Sequence, residues 1–572
     1  LLLCAIDDFE GSTLLHPACF FNLQQNGQGD PVTSDAVSFT PVSHDGMICE
    51  VRSPLGLLLR LTGTITAVEP TVEGDSPMTS NLALVHNAWA YAKNEKLFRR
   101  FKDETKKESH RKQADAHADV AAEIAKLIDG LGDDTRTGWC SACYARTDHR
   151  RVKTGRISVP AYLCVTCGAP TLTCAAPQCD NMATRGSGSV RIPRFCAEHR
   201  HELPSFARAS DKIDTVDDYE QLRVFDKSNL ARGSKYAMAG VFAAGVVGTG
   251  GLMAAPAIGG AIGTLVGGYT GAAAASYGLA LLGGGSVAAG GLGMVGGTYV
   301  VAAAGAALGG ALGANITNAY VSEDKSFAIE KFRDGSGTPV IVARGFTTEK
   351  DPNWKSAMRM VEARYPDSPI YRLHWGSKEL GSLAALAVRN AGAKQVMAVV
   401  GGAAARAGRM AAQKLAPIAP ALLVGDLVKN PWHTAVVRAD RTGVALAGIL
   451  ARTRVEGYIL VGHSLGARAM ITAAETMGTS KDAPTIEAVH LLGAAEGKKA
   501  DWRPLSEAVA GTVNNYYSTN DGVLKYMYAA AQAGSVAVGL RGFDCKYPNI
   551  KDRDVSAKVA GHSEYFDNVK LL

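Results

Sequence analysis

Tyr458-Ile459-Leu460-Val461-Gly462-His463-Ser464-Leu465-Gly466-Ala467-Arg468-Ala469-Met470-Ile471 is the stretch whose reading decides the fold. Four apolar residues make a short strand. Gly462-His463-Ser464-Leu465-Gly466 is a G-x-S-x-G turn, and the residues after it are helix formers. A turn that tight leaves no room for Cβ atoms on either side of the serine, because they would collide with the adjoining strand and helix. It lifts the Ser464 hydroxyl above the sheet. It also sets the Leu465 N–H at a helix start, where it can stabilise an oxyanion.

A serine so placed needs a base, and the base needs an orienting carboxylate. In this context they follow along the chain as Ser, Asp or Glu, then His. Ile486–Leu492 and Val513–Ser518 read as further strands, the second ending in Thr519-Asn520-Asp521-Gly522. An acid just past a strand's C-terminal end is suitably placed, so Asp521 is preferred to its rival Asp544. Two histidines follow Ser464. His490 falls inside a strand and reads as a packed residue, whereas His562 lies in a loop near the C-terminus and reads as the base. His463 is expected to point elsewhere on the elbow. A second oxyanion donor should follow the strand Thr338–Ala343, at Phe346 or Thr347.

From about 325 to 572, apolar strand-like runs alternate with helical stretches, the pattern of a largely parallel sheet wrapped by helices. The expected fold class is therefore α/β, with an α/β-hydrolase domain at the C-terminus.

At these residues a resemblance enters. Arg344-Gly345-Phe346, Tyr371–Leu380, Gly425–Trp432, Val461–Arg468, Asn520–Leu524 and Gly561-His562 resemble the domain-of-unknown-function family that includes transmembrane and coiled-coil domain-containing protein 4. The resemblance implies a predicted α/β hydrolase preceded by a Gly-rich apolar stretch. It also implies bacterial relatives of lipolytic character, some of them secreted antibacterial effectors.

That apolar stretch is present. From Tyr236 to Ser322 there is no Asp, Glu, Lys, Arg or His, and 24 of the 87 residues are Gly. A run this long exceeds the ~20 residues of one membrane span several times over. Gly259, Gly263, Gly267 and Gly271 form one four-residue ridge and Gly305, Gly309 and Gly313 another, spacing that lets helices approach closely. Apolar helical hairpins that interact with a membrane are expected over 236–322, packed near the mouth of the Ser464 site. A buried Ala/Gly helical layer, or an apolar cap over a lipid site, is the alternative.

Seven of the eleven cysteines lie between Cys140 and Cys196. Cys140-x2-Cys143 and Cys164-x2-Cys167 have the spacing of two metal knuckles, and Cys174, Cys179, Cys196 and His199 offer a second set. Structural Zn2+ in a zinc-ribbon-like module over 136–205 is expected, because a small segment with little core is held folded by metal. Pairing of this kind points to a reducing compartment. Cys4, Cys19, Cys49 and Cys545 read as ordinary thiols.

The remaining segments are a small strand-rich part over 1–80, amphipathic helices over 81–135 and a polar connector over 206–235. Leu1-Leu2-Leu3-Cys4 is followed at once by Asp7, Asp8 and Glu10, so no signal peptide is read there. A net charge of +6 over 572 residues, with no aromatic-basic platform beside the cysteines, gives no reason to expect nucleic acid as a partner. The expected partners are a membrane lipid substrate and a chaperone or immunity protein. The expected site is cytoplasmic folding with membrane association, or secretion into a target cell. Serine ester hydrolysis, of lipase or phospholipase type, stands against two other readings. One is a membrane-inserting toxin or anchor acting through 236–322. The other is a scaffold acting through the cysteine module.

Overall fold

The computed structural model describes residues 36–231, 317–345, 354–376 and 431–572, less 66, 68, 103, 154–159, 186–193, 319, 323, 479, 481, 501, 530–534 and 544–545. Phe346, Thr347, Asp544, Cys4, Cys19, Cys545, both glycine ridges and nearly all of 236–322 lie outside the described residues. The chain divides into two units.

In the first unit, β1 (Val37–Pro41), β2 (Gly46–Arg52), β3 (Leu58–Thr64) and β4 (Thr71–Gly74) form an antiparallel sheet in that order. Alternation sets its inner face: Met47, Cys49 and Val51 are buried along β2 while their neighbours are not. Helices α1 (Leu82–Arg100) and α2 (Glu104–Asp129) contribute Leu84, Trp89, Ala121 and Ile124 to the same core. Asn81 caps α1 by accepting from the Leu84 N–H at 2.9 Å. The helical part stops at Asp129 rather than 135, because β5 (Leu131–Trp139) begins there. With β6 (Arg146–Val152), β7 (Ala161–Cys164), β8 (Pro170–Thr173) and β9 (Met182–Thr184) it forms a second antiparallel sheet in sequence order.

The second unit is a mixed α/β body built on seven strands. They are β10 (Ala328–Arg333), β11 (Val340–Ala343), β12 (Ile370–His374), β13 (Gly457–His463), β14 (Thr485–Leu492), β15 (Val509–Tyr517) and β16 (Ile550–Asp554). Their order is β10-β12-β11-β13-β14-β15-β16, and all neighbours are parallel except the β10–β12 edge pair. β13 is central and buried at every residue, as a parallel strand covered on both faces must be. Helices α3 (Pro431–Leu450) and α4 (Leu465–Gly478) pack together beside β13. Trp354, Met358, Val361, Tyr565 and Phe566 join Val340, Val342, Ile459 and Val461 in one core cluster.

This unit reaches back beyond residue 325. Residues 210–222 belong to it rather than to a connector. Ile213 bridges Thr453, Lys212 Nζ donates to the Ala451 carbonyl at 2.6 Å, and Asp217 pairs with Lys331. Polar composition made this segment look like a linker, but the turn after α3 supplies partners for its backbone and Lys331 of the edge strand β10 a partner for its charge. Among the described residues, no helix is long and apolar enough to cross a membrane.

Candidate active site and metal-binding clusters

The elbow is built as its glycines require. Ser464 has φ +58°, a left-handed conformation costly for a residue with a Cβ. It is held by its own N–H to the Leu492 carbonyl at 3.0 Å and by the Ala495 N–H to its carbonyl at 3.2 Å. A Cβ on Gly462 would stand 2.4 Å from Ala467 Cα, and one on Gly466 would stand 2.6 Å from the Ala343 carbonyl oxygen. Strand and helix can therefore meet at Ser464 only with glycine on both sides.

His562 comes from the loop after β16 and Asp521 from the turn after β15. The two loops are tied together. Ser518 Oγ donates to the Val559 carbonyl at 2.7 Å, and Asn520 Nδ2 donates to the Ser556 carbonyl at 2.7 Å. His562 Nε2 lies 2.8 Å from Ser464 Oγ, and His562 Nδ1 lies 2.6 Å from Asp521 Oδ2. Asp521 Oδ1 accepts the Leu524 N–H at 3.0 Å, and Tyr565 donates its hydroxyl to Oδ2 at 3.3 Å. All four side chains are buried. With Nδ1–H directed at the Asp521 carboxylate, Nε2 carries the lone pair that faces the serine hydroxyl. Burial, then the charge of Asp521, pushes the Tyr565 phenol well above its ordinary value, so it remains a donor.

Leu465 opens α4, and its N–H has no hydrogen-bond partner among the described residues. Gly345, past the end of β11, lies against it: a Cβ there would be 2.7 Å from Leu465 N and 2.8 Å from Ser464 Cβ. The other nominated donors, Phe346 and Thr347, follow directly in the chain and lie outside the described residues.

Other buried polar groups of the unit include His490, expected to be a packed strand residue, and Arg468, to which the sequence reading assigns no role. His490 is buried between two tyrosines, 2.6 Å from Tyr365 Oη and 3.3 Å from Tyr516 Oη. Burial lowers it to about 3, so it is a neutral packed residue. Arg468, one turn along α4 from the serine, forks onto Asp440 of α3 and also meets Glu496, which follows Ala495. Burial raises Asp440 to about 7, with Arg468 acting against that rise. Helical spacing from Ser464 was the available signal for Arg468; its partners lie 28 residues away in sequence on both sides.

In the first unit, Cys140, Cys143, Cys164 and Cys167 bring their sulfurs together, and Cys174, Cys179 and Cys196 converge with His199. Within each group the ligand atoms lie within 4.8 Å of one another. All the described cysteines are free thiols. The Cys143–Cys164 and Cys179–Cys196 sulfurs are each 3.8 Å apart, and Cys174 Sγ lies 3.7 Å from His199 Nδ1. A tetrahedral ion with metal–sulfur bonds of about 2.3 Å has sulfur–sulfur edges of about 3.8 Å, so the donor sets fit one metal ion each. The clusters also touch: the Ala197 N–H donates to Ser141 Oγ at 2.9 Å.

The chain is similar to several eukaryotic proteins. It is 35% identical over 153 residues to the uncharacterized membrane protein C6F6.13c of Schizosaccharomyces pombe, a match covering 26% of this chain and 20% of that one. It is 31% identical over 160 residues to the transmembrane and coiled-coil domain-containing protein STS1 of Oryza sativa subsp. japonica, covering 27% and 24%. It is 29% identical over 153 residues to the probable lipase MIL1 of Saccharomyces cerevisiae, covering 26% and 14%. The matched stretches thus span at most about a quarter of these relatives' lengths, and none of the three names refers to a secreted or antibacterial role. No solved structure matches. The model of one family, the proteins of unknown function DUF726, matches residues 229–572, which is more than half of the chain, and to that family this protein belongs.

Proposed function

We propose that the second unit is an α/β-hydrolase domain and that the protein is a serine hydrolase cleaving acyl esters, with lipid as the substrate class. One observation carries the reading: the unbroken path from Ser464 Oγ through both nitrogens of His562 to Asp521, at 2.8 and 2.6 Å. In the reaction, His562 Nε2 takes the Ser464 proton as Oγ attacks the ester carbonyl. The Leu465 N–H, with Phe346 or Thr347 as second donor, stabilises the oxyanion, each donor contributing roughly 3–4 kcal/mol at the transition state. The imidazolium then protonates the departing alcohol. Water, activated by the same nitrogen, releases the acid from acyl-Ser464.

Lipid is favoured by the uncharged stretch 236–322, which can bring the domain to a bilayer, and by relatives named as membrane proteins and as a probable lipase. The two cysteine clusters are proposed to hold structural Zn2+, which would fix the knuckles of the small second sheet. The test uses the full chain with 4-nitrophenyl butyrate, a fluorophosphonate probe and mixed phospholipid vesicles. Ester cleavage, labelling and fatty-acid release are all expected, and all are lost in Ser464→Ala. Labelling that persists in Ser464→Ala, or a wild-type chain inert to all three, overturns the reading.

A further inference from the structure

We propose that His463, the residue just before the serine, is a positioning residue that holds the main chain of His562 in register with Ser464. The inference rests on the hydrolase reading and deepens it. His463 Nε2 lies 2.8 Å from the His562 carbonyl oxygen. A carbonyl only accepts, so Nε2 carries the proton and donates. His562 sits in a loop between Gly561 and Glu564, outside any strand or helix, whereas His463 is the last residue of the fully buried central strand. The hydrogen bond therefore ties a loop residue to the central, fully buried strand of the unit.

The local chemistry favours this role over simple filling. His463 is fully buried, 4.8 Å from the His562 ring and 5.1 Å from the Phe566 ring, centroid to centroid. Its Nδ1 has no partner among the described residues. A buried, unsatisfied acceptor carries a desolvation cost that an apolar side chain of similar size would avoid. What the imidazole supplies in return is one directed N–H. Burial, and then the nearby His562, keep it well below the usual histidine range, so it stays neutral and adds no positive charge beside a ring that must accept a proton.

The test compares His463→Gln, whose amide nitrogen reaches about as far as Nε2, with His463→Met, which fills the space without a donor. Both are made in the full chain and assayed with 4-nitrophenyl butyrate and by the rate of fluorophosphonate labelling. The Met variant is expected to lose about 10- to 100-fold in kcat and in labelling rate, the scale of a small misplacement of reacting groups, with KM within about twofold. The Gln variant is expected to recover most of that loss. Should the Met variant fail to fold, His463→Asn replaces it: its shorter amide falls short of the carbonyl, so its kcat should lie at least about tenfold below that of Gln. Equal kcat for wild type and Met, or for Gln and Asn, overturns the inference alone. A wild-type chain that neither hydrolyses the ester nor takes the label overturns the hydrolase reading, and the inference with it.

Discussion

Tyr565 stands beneath Asp521 with its hydroxyl 3.3 Å from Oδ2, the same oxygen that accepts His562 Nδ1–H, and 3.3 Å from the Gly539 carbonyl. One phenol thus supports the carboxylate that orients the imidazole, from only three residues beyond that imidazole in the chain.

Tyr565→Phe should lower kcat about three- to tenfold, the scale of one stretched hydrogen bond to a charged acceptor, and leave KM unchanged. Asp521→Asn should cost about 10³- to 10⁴-fold, because an amide in place of the carboxylate permits the wrong tautomer of His562. Steady-state kinetics on one soluble ester rank the two. Equal losses would mean that the phenol does more than support Asp521.

Gly345→Ala should lower kcat about 100-fold or more, since the new Cβ overlaps Leu465 N and Ser464 Cβ and closes the space an oxyanion would occupy. A denaturation curve run alongside separates this from general overpacking, which costs about 1–3 kcal/mol. Unchanged turnover would remove Leu465 N–H from the reaction.

Arg468→Met should destabilise the second unit by about 3–5 kcal/mol, because it strands the buried Asp440 carboxylate, and the half-buried Glu496 beside it, without their shared cation. Urea denaturation measures it, and a loss below about 1 kcal/mol would show that the carboxylates find other partners.

His490 makes stability depend on acid. Its folded value of about 3 lies below the ordinary 6.5, so the unfolded chain binds the proton first. The contribution is fully present above pH 6.5 and is lost progressively as pH falls toward 3, on the order of a few kcal/mol. His490→Gln keeps polar contacts for Tyr365 and Tyr516 but does not titrate. Its denaturation midpoint should therefore fall less steeply than that of wild type between pH 6.5 and 4. Parallel curves would contradict the assignment.

Two zinc ions per chain are expected by elemental analysis, and one in Cys164→Ser or in Cys196→Ser. Chelation should melt the β5–β9 sheet, seen as lost circular dichroism and as newly reactive thiols. Disulfides within the clusters, or a chain isolated without metal, would contradict it.

What could be read directly from the sequence was local. Gly462 announces a tight elbow because the clash it avoids is with Gly466 and Ala467, a few positions away, whereas the clash that Gly466 avoids is with Ala343 on a distant strand. Cys-x2-Cys announces a knuckle because both ligands sit on one turn. The alternation of strands and helices after 325 followed from burial periodicity, and Asp521 and His562 were nominated by chain order. Tertiary structure decided whatever depends on which distant segments meet. The turn after β15 and the loop after β16 lie 41 residues apart at Asp521 and His562, yet close to a 2.6 Å contact because parallel strands bring their ends to one edge. The same packing turns His463 toward the His562 carbonyl, surrounds Arg468 with two acids and draws residues 210–222 onto the second unit. None of these leaves a periodic trace, because a hydrogen bond or ion pair between distant segments constrains only single residues on each.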